Sequence, residues 1–172
     1  MSKPIYEELH GTREELSQVL SSFTQEQFNV VPFEGSWTAG QVAEHIFKFV
    51  SGTLENVNSD VKPTERNPEE YAGQLAEMFL NFNVKMTSPD FILPTDAPKN
   101  KEALLYSLEK SMKGLEESAK TLDLSLICTA FDMPFMGPLT RIEWLTFVNA
   151  HALRHIHQLK NIKQAISHVN QS

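Results

Sequence analysis

The sequence predicts an all-α fold, an antiparallel four-helix bundle with an extra helix between its second and third members. Three observations carry this. Apolar residues recur at helical spacing along four long segments. Two of those segments open with the same paired start signal, described below. No segment sustains the two-residue alternation of a half-buried strand, so strands are not expected. At 172 residues the chain suits one domain spanning 1–172.

The first helix is read from Ile5, Leu9, Leu16, Val19 and Phe23, which share one stripe with Thr12 filling the gap. Ser2 is its expected cap, and Pro4 is tolerated in its first turn. A short turn, TQEQF, and a loop, VVPFEGSW, follow. The second helix begins at Thr38, which with Gln41 makes a capping box. Trp37 and Val42 are placed to staple the entry. Its apolar face is Val42, Ile46, Phe49, Val50 and Thr53, and it fades near Asn56–Ser59.

Asn67-Pro68-Glu69-Glu70 reads as a start for the extra helix: a cap, a proline at the first position, and acids in the first turn. Tyr71, Leu75, Met78, Phe79 and Phe82 continue it. Pro89, Pro94 and Pro98 make Lys85–Asn100 a loop. The next helix runs from about Lys101 to Leu122 on Leu104, Leu108, Met112, Leu115, Ala119 and Leu122. The loop FDMPFMGP leads to the last helix, where Thr140 and Glu143 form a second capping box and Leu139 with Trp144 a second staple. Trp144, Phe147, Val148, His151, His155, Leu159, Ile162 and Ile166 mark its inner face.

The net charge is −7 and the pI near 5.3. So acidic a chain is a poor general binder of nucleic-acid phosphates or anionic membranes, and neither is expected as a partner. The polar start MSKPIYEELHGTREEL lacks a signal-peptide core, and no run of 18 apolar residues occurs, so a cytoplasmic location is expected. Cys128 is the one cysteine, against six histidines. A disulfide or thiolate framework is therefore excluded, and imidazole is left as the main soft-metal ligand.

Helical geometry divides the histidines. At about 100° per residue, His151 and His155 point the same way, on the face shared with Trp144 and Ile162. His157 lies roughly 160° from His155 and faces solvent. His10 is off its helix's stripe, and His168 lies in a polar tail. His45 flanks the apolar face of the second helix and can reach a groove between helices. Three inward imidazoles from two helices fit a divalent ion. Two ligands at i and i+4 chelate it, a third comes from a neighbouring helix, and one position stays open for water or substrate. Inward histidines more often form a hydrogen-bonded core pair, and spacing alone leaves both readings open. HALRH lacks the glutamate of a zinc-protease helix, so that mechanism has no support.

Other side chains near this face are candidates for lesser roles. Arg154, about 60° from His151, is placed to bind an anionic substrate group, or equally to form a surface salt bridge. Gln158 shares the inward face and is placed to orient His155, or to make an interhelical contact. Glu143 is already used in the capping box, Glu44 faces away from its neighbour His45, and Asp132 lies in a loop, so none is assigned as an acid or base. Phe131, Met133, Phe135 and Met136 in one loop, and Phe33 and Trp37 in the other, form either an apolar rim or the closing residues of a bundle end. Cys128 reads as a small buried filler.

Three stretches carry a family resemblance: GSWTAGQVAEHI, FMGPLTRIEWLTFVNAH and HALRHIHQL. In this order and spacing the chain resembles the DinB-like (YfiT-like) superfamily of metal-binding four-helix bundles over nearly its whole length, apart from the helix around Asn67–Phe82. The resemblance implies that His45, His151 and His155 are metal ligands, with Arg154 and Gln158 in their usual places. It implies Zn²⁺ or Ni²⁺ with water at the open position, and a homodimer. It also implies a small-molecule substrate, with a low-molecular-weight thiol among the options, in a metal-dependent hydrolase or thiol S-transferase. The competing expectation is a non-catalytic metal-binding or interaction bundle. Fold analogy does not choose between them.

Overall fold

The structure, a computed structural model, describes residues 3–134 and 136–169, with side chains as far as Ser167. The expected Ser2 cap, the Phe135 rim residue and the His168 side chain lie outside the described residues. Pro4 instead holds the N-cap position of α1 (Ile5–Ser21), without a side-chain cap. The stretch expected as a turn after it closes into a single helical turn, α2 (Gln25–Phe28), because Thr24 and Gln27 make a capping box of their own. Helix α3 (Ala39–Val57) starts from the expected Thr38–Gln41 box. Helix α5 (Lys101–Thr121) starts from Asn100, whose side chain accepts from the Ala103 amide. Helix α6 spans Arg141–Val169.

These four long helices form the expected four-helix bundle. Helix α1 packs on α5 and α6, and α3 packs on the same two. Their directions follow from which residues meet. Arg13 meets Glu116 and Ser17 meets Glu109, so α1 and α5 are antiparallel. The side chain of Arg141 reaches the Val57 carbonyl while His45 meets His155, so α3 and α6 are antiparallel as well. In contrast, Leu54 lies against Gly114 and Asn58 meets Ser118, so α3 and α5 run the same way. Thr12 meets Asn149 and Glu15 meets Lys160, so α1 and α6 do too. The antiparallel expectation thus holds for two of the neighbouring pairs. The long 58–100 crossover, which returns the chain along the bundle, makes the others parallel. A Cβ on Gly114 would stand 2.8 Å from Leu54, so glycine there sets how closely α3 and α5 approach.

The crossover carries two departures from expectation. The extra helix, α4, runs Ala72–Leu80 rather than from Asn67. Residues 68–71 are a turn, and the Tyr71 amide donates to the Glu143 carboxylate at 2.7 Å instead of opening a helix. A two-stranded pairing also forms, β1 (Val61–Lys62) with β2 (Ile127–Cys128), antiparallel with Val61 opposite Cys128. Two residues per strand are too few to leave an alternation in the sequence. The crossover's α4 lies on α6, and a 3₁₀ turn at Asp90–Ile92 touches α3. Together they roof the face where the inward histidines sit.

The core follows the predicted stripes. Leu9, Leu16, Leu20, Val42, Ile46, Val50, Leu108, Met112, Leu115, Leu145, Leu159 and Ile162 are all buried. Cys128 is buried as well, and burial pushes its thiol up to about 11, as suits a filler rather than a nucleophile. Among the described residues, no helix is long and apolar enough to cross a membrane.

Candidate metal centre

Helices α3 and α6, facing each other, bring His45, His151 and His155 to one point. His45 Nε2 lies 3.0 Å from His151 Nε2 and 3.0 Å from His155 Nε2. One nitrogen from each ring falls within 4.8 Å of the other two. His45 and His151 are buried, and His155 is partly exposed. Aromatic rings hold the imidazoles in place. Phe49 stacks on His151 at 4.3 Å between centroids, and Trp37 lies 5.1 Å from His45.

The outward nitrogens decide what the inward ones present. His45 Nδ1 is 2.7 Å from the Ile92 carbonyl, which only accepts, so Nδ1 carries the proton. His155 Nδ1 likewise donates to Gln158 Oε1 at 2.7 Å. Both Nε2 atoms are then bare lone pairs facing each other at 3.0 Å, a contact that neutral imidazoles do not favour. A shared cation removes the conflict. Tetrahedral ligands about 2.0–2.1 Å from one ion stand about 3.3 Å apart, close to the spacing here. A proton is a poor substitute. Burial, with the neighbouring His45, holds His155 down to about 3. Burial lowers His45 and takes His151 well below the usual histidine value. The donor set is neutral and convergent, with His45 and His155 oriented by outward hydrogen bonds and His151 by stacking on Phe49, and it fits a divalent ion.

The cluster opens on a cavity of about 660 Å³, roofed by the crossover and by Phe131, Met133, Pro134 and Met136. His151 and His155 line it, together with Phe49, Phe79, Phe91, Phe131, Trp144 and Phe147. Met133 and Met136 of the expected rim also line the cavity. Trp37 instead packs on His45, and Phe33 lies exposed outside the cavity. The part of the crossover's share of the lining that follows α4, with Met86, Phe91 and Ile92 in it, was not singled out by the sequence. Only their position in a long loop beside a histidine helix hinted at them.

The remaining candidates fall elsewhere. Arg154 lines the cavity, but its guanidinium donates to the carbonyls of Phe79, Asn81 and Val84, pinning the end of α4 to α6. Glu44 is bound by Lys99, Lys48 and the Thr95 amide. Glu143 accepts from Thr140, Tyr71 and Arg66. Asp132 is exposed and His157 stacks on Phe82 at the surface. His10 pairs with Glu116 and Glu14.

A family model described as the DinB superfamily matches residues 8–159. Among solved structures, the chain is similar to "Crystal structure of TT2238, a four-helix bundle protein". The two share 20% identity at a TM-score of 0.56, over 91% of this chain and 96% of that one. At that identity the likeness concerns the fold. No curated protein matches.

Proposed function

The chain belongs to the DinB superfamily, and on that premise we propose that it is a metal-dependent enzyme acting on a small molecule in the cytoplasm. His45, His151 and His155 hold one divalent ion, Zn²⁺ or Ni²⁺. The observation that carries this is the convergence of three oriented imidazoles on the wall of a cavity rather than inside a sealed core. A purely structural ion takes four protein ligands and closes its site, whereas this cluster offers three and faces open space. When bound, the ion supplies a Lewis acid and lowers the pKa of water or a thiol at its open position.

The chain's own residues do the rest. The Ile92 carbonyl fixes the tautomer of His45, and Gln158 fixes that of His155, so both present Nε2 without reorganisation. Phe49 holds the His151 ring by stacking. The aromatic walls make the surroundings of the cluster apolar, which strengthens electrostatic effects there. Hydrolysis and thiol S-transfer both use these parts.

The test is elemental analysis of protein purified without a polyhistidine tag, beside a His155→Ala variant. We expect about one zinc or nickel per chain in the wild type and its loss in the variant, as a three-ligand site requires. Equal metal in both would end the ligand assignment. Metal-loaded wild type, compared with the variant on ester and thiol-transfer substrates, then decides the reaction type.

A further inference from the structure

The cavity beside the histidines has a composition of its own. Four methionines, Met78, Met86, Met133 and Met136, share its walls with the aromatic side chains. Methionine is unbranched and polarizable, and lets an apolar wall adapt to differently shaped guests. A volume of about 660 Å³ is typical of a small-molecule site.

Charge is nearly absent from the inside. Lys48, Glu55 and Arg154 reach the lining. Lys48 is held by the Leu93 carbonyl at 2.6 Å and by Glu44 at 3.4 Å. Arg154 is taken up by the three carbonyls of the α4 end. Glu55 is exposed. Apart from the ion proposed at the histidines, no buried cation among the described residues stands ready for an anionic guest. The buried polar side chains of the lining that have no hydrogen-bond partner there, besides His151, are the Asn56 amide and the Trp144 indole N–H. Both are neutral.

At the mouth, Gly52 lines the cavity on the exposed side of α3. A Cβ built there meets nothing within 4 Å. Glycine in mid-helix gives up helix stability, and no close neighbour requires it. What the missing side chain leaves is open space at the entrance.

We propose that this cavity binds a neutral, predominantly apolar small molecule, and that Gly52 keeps its entrance open. This deepens the metal-centre reading, and rests on it only for placing the guest's reacting group beside His151 and His155.

A matched pair of fluorescent probes tests it: N-phenyl-1-naphthylamine, and the same molecule bearing a sulfonate, 1-anilinonaphthalene-8-sulfonate. The neutral probe should bind saturably, about tenfold or more tighter than the anionic one, a difference of about 1.4 kcal/mol. Gly52→Phe should weaken the neutral probe by about tenfold, with metal content unchanged. Gly52→Ala, which adds one carbon into open space, should stay within about twofold and shows that the fold tolerates the position. Equal or tighter binding of the sulfonate, undiminished binding by Gly52→Phe, or no saturable binding would each overturn the proposal. Probe binding needs no metal, so the two readings fail separately: a protein that binds the probe but takes up no zinc or nickel when either is supplied breaks the metal-centre reading alone.

Discussion

Two buried polar clusters sit in this bundle, and they are built on opposite terms. At the N-terminus of α6, Glu143 has a fully buried side chain, yet each of its oxygens is used. Oε1 accepts from Thr140 N at 2.9 Å and Arg66 Nη2 at 2.7 Å, and Oε2 from Arg66 Nη1 at 2.8 Å and Tyr71 N at 2.7 Å. Two to three turns further along the same helix, His151 and His155 join His45 in a cluster where the outer nitrogens of His45 and His155 are satisfied, that of His151 has no partner, and the inner lone pairs of His45 and His155 oppose one another. A buried group with every bond made stabilises and positions. A cluster that orients its donors and leaves them in conflict is built for something that arrives. The first cluster ties the crossover down, and the second faces the cavity.

The largest effect should come from breaking the saturated cluster. Glu143→Ala removes the capping box, the ion pair to Arg66 and the acceptor for Tyr71 at once. The expected loss is about 3 kcal/mol, the low end for breaking a buried pair because Arg66 is 23% exposed. Urea denaturation measures it, and a loss below about 1 kcal/mol would mean that the cluster does not hold the crossover. The same carboxylate sets a pH limb. Burial raises its pKa, but Arg66, Thr140 and Tyr71 outweigh burial and leave it lowered. Its contribution is therefore complete above the ordinary glutamate value and fades as pH falls below about 4.5, through the folded-state pKa. Glu143→Gln should flatten that part of the stability–pH curve.

The open cluster should respond to what fills it. An ion that binds only the folded chain, present at 100 times its Kd, adds about 2.7 kcal/mol, which for a chain of this size raises Tm by about 5–10 °C. Zn²⁺ added to chelator-treated protein should produce that rise in calorimetry, and His155→Ala should not. An equal shift in the variant would place the ion elsewhere.

The difference between the clusters also marks what the sequence could disclose. The Thr140–Glu143 box was legible because both partners lie within one turn. The inward direction of His45, His151 and His155 was legible because helical periodicity assigns each residue a face. Partners far along the chain were not. Tyr71 gives its amide to a carboxylate 72 residues away, so the start signal at Asn67-Pro68 opens a turn rather than α4. Arg154 was placed beside His151 by angle, but its carbonyl partners lie 70 to 75 residues upstream. The cavity roof is crossover, and no periodic pattern predicts where Met86, Phe91 and Ile92 fold back.

The smallest effect is the most discriminating. In metal-free protein, His155→Leu removes one of two opposed lone pairs and puts an apolar side chain beside an apolar cavity. Gln158, only partly buried, turns to water. Exchanging an unsatisfied polar group for a hydrophobic one of similar size is near neutral or stabilising, so the change should stay within about 1 kcal/mol and lean toward stability. With Zn²⁺ the order reverses, because only the wild type gains from binding. Chemical denaturation with and without the ion reads both signs. A large metal-free loss would show that the histidines already satisfy one another, as Glu143 and Arg66 do, and that the cluster waits for nothing.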